Sequence, residues 1–248
     1  MDIENNNKIQ NTNKTQSNNK KILFLHGYTQ NSLVFQKRLK VLTKTLTNLF
    51  NVDFLFPEGQ YIINQEKENT EKKLESEEEI QRGWTHVAEY PDNFFDLKEV
   101  EYIDINQSID QIQQIFEKNT GIECIFAFSQ GSLLALLVLA MMSEGKLKDS
   151  FKSLKCAVLA SGFISPFPTN DNLQFVKSYV EGEKKISLPT LHIYGKNDDF
   201  VKSSLSERVT KMFESPEIFE HDGKHFVPSK KDDIEKIVNY LGKYLEKK

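Results

Sequence analysis

The thirteen residues Cys124–Leu136, Cys-Ile-Phe-Ala-Phe-Ser-Gln-Gly-Ser-Leu-Leu-Ala-Leu, set the terms for the rest of the chain. Ile125, Phe126 and Phe128 are strand formers. Leu133 to Met142 is almost wholly apolar, so a helix there must be covered on all sides. Ser129 falls at the junction. A small residue two before it, Ala127, and one two after it, Gly131, let the backbone bend sharply enough to expose a hydroxyl, as at a nucleophile elbow. The usual form is Gly-x-Ser-x-Gly, and alanine stands at the first position here. The pentapeptide alone is a weak signal, because a serine before a helix also serves as an N-cap.

The remaining chain alternates short apolar strands with helical periodicity. Lys21–Leu25 is a strand that runs into His26-Gly27-Tyr28-Thr29-Gln30-Asn31. Ser32 is placed to cap a helix reaching about Leu46, with Leu39, Leu42 and Leu46 on one side. Asn51–Phe56 is the next strand. Ile105, Ile109, Ile112 and Phe116 predict an amphipathic helix within 101–118. Further strands are predicted at Lys155–Gly162, Leu188–Gly195 and Pro216–Glu220. Helices are predicted at 205–213 and 232–245. Phe163–Lys185 reads as a loop with a short helix, too small for a large lid. Strands alternating with helices predict a mostly parallel central sheet with helices on both faces, an α/β fold.

The 248 residues fit one such domain, 20–248, preceded by a polar tail, 1–19, whose Asn, Lys, Gln and Thr content predicts disorder. That tail has no apolar h-region and no arginines, so it resembles neither a secretory signal nor a transit peptide. No apolar run approaches the about 18 residues needed to cross a bilayer. A net charge of −4 gives no electrostatic footprint for nucleic acid or an anionic membrane. The two cysteines, Cys124 and Cys156, fall in predicted core strands and read as buried packing thiols. A cytoplasmic protein without stable membrane insertion is expected. Oligomeric state leaves no trace in the sequence. Residues 64–82 are dense in Glu and Lys and read as a solvated helix or a loose insertion.

A serine nucleophile needs a base, and the base needs an orienting carboxylate. In the α/β-hydrolase arrangement the chain order is Ser, then Asp or Glu, then His. Ser129 follows one predicted strand, Asp198 another and His225 the last. All three fall just beyond strand C-termini, where open α/β sheets build their sites. Asp198, on the turn after Gly195, is preferred to Asp199, which can instead start the next helix as a cap. His225, beyond Gly223, is preferred to His221, which belongs to the strand end. The backbone amides of Tyr28 and Gln130 are the candidate oxyanion donors. His26 reads as a structural histidine that shapes its loop. Trp84, with Tyr90, Phe94 and Phe95 close behind, either lines a substrate cleft or covers the core edge. Trp84, Phe163 and Phe226 are the cleft candidates. No metal or organic cofactor is called for.

The segments Leu25–Asn31, Ala127–Gly131, Gly195–Asp198 and Gly223–Pro228, with Arg82-Gly83-Trp84, together resemble the small serine hydrolases related to the yeast family of serine hydrolases and the ovarian cancer-associated gene two protein. The likeness runs from about Lys20 to the C-terminus. It implies an α/β-hydrolase fold and esterase activity on carboxylic esters of medium or long acyl chain. It implies Ser129 as nucleophile, Asp198 as acid and His225 as base, acting on a small-molecule ester. Ala127 in place of the family's glycine and a longer acidic stretch at 64–81 are departures. An acyl-protein thioesterase or lysophospholipase, which also carries Phe-Ser-Gln-Gly, is a neighbouring alternative. A non-catalytic α/β-hydrolase scaffold that binds ligands is another.

Overall fold

The computed structural model describes residues 19–63, 76–89 and 91–248. Most of the 1–19 tail, the bulk of the charged stretch at 64–82 and Tyr90 lie outside the described residues. Six strands form one parallel sheet: β1 (Lys20–Leu25), β2 (Val52–Leu55), β3 (Ile122–Phe128), β4 (Cys156–Ala160), β5 (Thr190–Gly195) and β6 (Pro216–His221). Their spatial order is β6-β5-β4-β3-β1-β2, and every pairing is parallel. β3 is central and buried along its whole length, which is why its sequence is apolar at nearly every position.

Alternation along the strands separates two cores. Leu23, Leu25, Ile125, Ala127, Ala157 and Leu159 face one side of the sheet. Ile22, Phe24, Cys124, Phe126, Cys156 and Val158 face the other. The first core is completed by α3 (Ile105–Lys118), α4 (Gln130–Ser143) and the short α5 (Val176–Val180). The second is completed by α1 (Ser32–Arg38), α2 (Lys40–Leu49) and α7 (Lys231–Leu241). Helix α6 (Ser203–Thr210) packs beside β5. Gln130 through Met141 are all buried, so α4 is covered all round, as its composition predicts. Truncating one of its buried leucines to alanine removes roughly 2–5 kcal/mol. Cys124 and Cys156 are register partners on adjacent strands and are both free, buried thiols.

Several boundaries depart from expectation. The helix predicted from Ser32 is two helices broken at Leu39, and its cap is Asn31, whose side chain accepts from the Val34 amide at 2.8 Å. The Ser32 hydroxyl instead donates to Glu58 at 2.5 Å. Helix α3 begins at Ile105, after Asp104 turns the chain at φ 61°. Of the charged stretch, the described part forms a 3₁₀ turn at Glu77–Glu79, and Arg82–Gly83 pairs with Tyr61–Ile62. Phe163–Lys185 contains one 3₁₀ turn and α5, with no large lid.

Candidate active site

Ser129 joins β3 to α4 with φ 54° and ψ −118°, a conformation that residues with a Cβ rarely adopt. Its side chain makes no capping hydrogen bond, so the N-cap reading fails. The bend is held by the Ser129 N–H, which donates to the Ala160 carbonyl at 2.8 Å, and by the Ser129 carbonyl, which accepts from Ser132 and Leu133. Gly131 is required here: a Cβ would lie 2.4 Å from the Leu25 carbonyl oxygen. The close approach brings the start of α4 against the exit of β1.

The other two strand exits deliver the partners. His225 Nε2 lies 2.9 Å from Ser129 Oγ, and His225 Nδ1 lies 2.7 Å from Asp198 Oδ2. An ionised carboxylate only accepts, so the imidazole proton sits on Nδ1 and Nε2 accepts from the serine hydroxyl. The His225 ring stands between Phe128, at 4.9 Å between ring centroids, and Phe200, at 5.2 Å. Asp198 uses its other oxygen, Oδ1, to accept from the amides of Phe200 (3.0 Å) and Val201 (2.8 Å). Burial pushes the Asp198 carboxyl up, but the hydrogen bond and charge of His225 and the two amides outweigh it and hold the group below its ordinary value.

Asp199, the competing carboxylate, is exposed and pairs with Lys224 at 3.0 Å. The helix-capping role expected of it falls to neither aspartate: α6 begins at Ser203 with Lys202 at its N-cap and no side-chain capping hydrogen bond. His221 ends β6, and its Nδ1 accepts from the Gly223 amide at 3.1 Å. The turn that separates the two histidines packs tightly on β5, where a Cβ on Gly195 would meet the Gly223 carbonyl oxygen at 2.4 Å.

The two oxyanion candidates flank the serine. Tyr28 and Gln130 both border the cavity that contains Ser129. Gln130 opens α4, where the first N–H groups have no intrahelical acceptor. Its buried side chain accepts from the Trp84 amide at 2.7 Å and donates to the Thr85 carbonyl at 2.8 Å. His26 donates from Nδ1 to the Gly27 carbonyl (2.8 Å) and accepts at Nε2 from the Gly59 amide (2.9 Å). Burial lowers its pKa to about 4, so it is a neutral structural residue, as expected.

The cavity beside Ser129 has a volume of about 400 Å³. Its apolar wall includes Phe94, Phe95, Leu133, Phe163 and Phe200. Of the three cleft candidates, only Phe163 lies on that wall. Trp84 is 1% exposed and packs as a bolt beneath the loops, donating from Nε1 to the His26 carbonyl at 2.8 Å. Phe226 packs against His221 in a tilted arrangement, 5.2 Å between ring centroids, and borders a separate cleft of about 230 Å³ with Phe35, Arg38 and Phe128. Phe200, Ser161 and the Gln130 side chain were not singled out from sequence. Only Phe200 carried a signal, as an apolar residue next to the acidic turn. Among the described residues no group of three or more His, Cys, Asp or Glu side chains could hold a metal ion, and no helix is long and apolar enough to cross a membrane.

Comparison with known proteins agrees with this architecture. The chain is 29% identical over 237 residues to Esterase CG5412 of Drosophila melanogaster, covering 91% of this chain and 76% of that protein. It is 27% identical over 230 residues to Esterase OVCA2 of Danio rerio, covering 90% and 97%. The fold matches the crystal structure of Zea mays acyl-protein thioesterase 2 with a TM-score of 0.61 at 17% identity, covering 92% and 94% of the two chains. That likeness establishes the α/β-hydrolase fold. The family model described as "Serine hydrolase (FSH1)" matches residues 15–237, and the chain belongs to that family of serine hydrolases.

Proposed function

We propose that this protein is a serine carboxylesterase that cleaves carboxylic esters through an acyl-enzyme. The observation that carries the reading is the continuous hydrogen-bonded line Ser129–His225–Asp198 opening on an apolar cavity. His225 Nε2 takes the Ser129 proton as Oγ attacks the ester carbonyl carbon. Asp198 holds the imidazolium that forms. The amides of Tyr28 and Gln130 receive the oxyanion. The tetrahedral adduct then breaks its bond to the alcohol oxygen, which leaves with the proton from Nε2. Water attacks the acyl-serine with His225 again as base, and the carboxylic acid departs as the proton returns to Ser129. The phenylalanine-lined wall suits the acyl chain, since burying apolar surface is worth about 25 cal/mol per Å².

The test combines a fluorophosphonate probe with p-nitrophenyl esters of increasing acyl length. Wild type labels and turns over; Ser129→Ala does neither. An active Ser129→Ala protein would overturn the assignment. A folded wild type that neither labels nor turns over would indicate a binding scaffold. Running matched thioesters and lysophospholipids in the same assay separates esterase from thioesterase or lysophospholipase activity. We also infer a cytoplasmic setting, which the two adjacent unbridged thiols support.

A further inference from the structure

Ser161 is the residue on which the site's strands converge, and no motif marks it. It follows β4, and its N–H donates to the Ile193 carbonyl of β5 at 2.7 Å. The carbonyl of the preceding residue, Ala160, accepts from the Ser129 N–H at 2.8 Å and from the Ser132 hydroxyl at 3.0 Å. Ser161 therefore joins the elbow to the strand that delivers Asp198. It is 1% exposed, and its backbone sits at φ 46°, in the left-handed region. A glycine would hold that backbone without strain. Serine adds one thing, a buried hydroxyl, which donates to Asp198 Oδ2 at 3.2 Å.

That oxygen also receives His225 Nδ1, while Oδ1 receives two amides, so the carboxylate accepts four hydrogen bonds. We propose that Ser161 is a positioning residue for the Asp198–His225 pair. Its hydroxyl fixes the plane of the carboxylate and keeps Oδ2 aimed at Nδ1. It also makes Oδ2 less basic, because a donor to the charged form favours that form. The Nδ1 proton then stays on the imidazole while Nε2 takes the proton of Ser129. The inference rests on the esterase reading.

Among the described residues the titratable groups around the pair are few. His221, at the end of β6, feels the Asp198 charge together with Asp222 and Asp233. Asp199 and Lys224 form an exposed pair from the two flanking loops, and Lys202 sits at the cavity rim. Lys196 is engaged with Asp222 and Glu220. Neither Ser161→Ala nor Ser161→Gly alters any of these groups.

The experiment compares the full-length protein with Ser161→Ala and Ser161→Gly. Both remove the hydroxyl, and the glycine variant also relieves the backbone, so it carries the test if the alanine variant does not fold. Both variants are expected to lose about tenfold in kcat, with KM for p-nitrophenyl butyrate within about a factor of two. The acid limb of the kcat/KM profile should move to higher pH, because a more basic carboxylate holds the imidazolium proton more firmly. Wild-type kcat in either folded variant would overturn the proposal. So would a loss in kcat with an unmoved acid limb, which marks a merely structural residue. A wild type that does not react with fluorophosphonate at Ser129 brings down the esterase reading and this inference with it. With wild type labelled, unchanged Ser161 variants overturn this inference alone.

Discussion

The Gln130 side-chain amide is locked to the Trp84 main chain: Oε1 accepts from the Trp84 N–H at 2.7 Å, while Nε2 reaches the next carbonyl, that of Thr85, at 2.8 Å. One residue thus carries a candidate oxyanion amide on its backbone and anchors a separate loop with its side chain. The anchor continues, because the Ser108 hydroxyl donates to the Trp84 carbonyl at 2.5 Å and Trp84 Nε1 donates to the His26 carbonyl. The residue next to Ser129 is therefore tied to both β1's exit loop and α3.

Truncation of that anchor should be costly to both stability and turnover. Gln130→Ala leaves the buried Trp84 N–H and Thr85 carbonyl without partners, which costs about 1–3 kcal/mol for each unsatisfied group. The thermal midpoint should fall by several degrees, at about 2–4 °C per kcal/mol for a chain of this size. Because the Gln130 backbone is no longer pinned, kcat should fall by more than KM rises. A variant with wild-type melting and wild-type kcat would show that the anchor is dispensable.

Adjacent carboxylates should respond very differently to the same change. Asp198→Asn replaces a buried acceptor of the His225 Nδ1 proton with an amide that favours the wrong imidazole tautomer. The analogous substitution in the Ser-His-Asp template costs about 10⁴ in kcat, and a loss of that order is expected here. Asp199→Asn only breaks an exposed pair with Lys224, worth about 0–1 kcal/mol, and should leave kcat within about twofold of wild type. Steady-state rates on one ester decide the point, and equal losses in the two variants would reverse the assignment.

The contrast between these two aspartates also shows what sequence can and cannot read. The meeting of Ser129, Asp198 and His225 was legible because each follows a strand, and a parallel sheet gathers strand C-termini at one edge whatever the loops do. The cleft wall was not legible in the same way. Trp84, Phe200 and Phe226 all sit on loops, where no periodicity fixes the direction of a side chain. Trp84 turns inward because its indole N–H finds the His26 carbonyl, while Phe200 turns toward Phe95 because Asp198 accepts its amide. Asn31 rather than Ser32 caps α1 because Glu58 claims the serine hydroxyl. Each outcome depends on a partner more than 20 residues away or on a turn whose geometry local propensity does not encode.

Acid should destabilise the fold in two overlapping windows. Burial lowers His26 to about 4 and His192 to about 3, from an ordinary 6.5. Between about 4 and 6.5 the unfolded chain binds protons that the folded chain refuses, so stability rises with pH there and is lost as pH falls. The slope is at most about 1.4 kcal/mol per pH unit for each histidine. Asp198 acts lower: its stabilisation is present above the unfolded value of 3.8 and is lost as pH falls through its depressed folded value. Urea midpoints measured from pH 7 to 4 should fall continuously, and the slope should be shallower in His192→Gln. A midpoint flat across that range would contradict the burial of both imidazoles.

Phe200 should set how strongly the enzyme gains from a longer acyl chain. It is 59% exposed, an unusual state for a large apolar ring, yet it meets Phe95 edge-on at 5.9 Å and lies over His225 at 5.2 Å. It is thus a part of the cavity wall that both meets the His225 ring and faces solvent. An acyl chain lying along Phe94, Phe95 and Phe163 would be covered by that ring, and each buried methylene contributes up to about 0.8 kcal/mol. Phe200→Ala uncovers the chain without removing an atom of the Ser129–His225–Asp198 line. Its kcat/KM for p-nitrophenyl acetate should stay within a few-fold of wild type, while the gain per added methylene from butyrate to decanoate flattens. The loss should appear in KM, since it removes binding shared by ground and transition states. Parallel chain-length profiles for the two proteins would place the acyl chain elsewhere, and the cleft bordered by Phe226 and Phe35 would then be the surface to truncate.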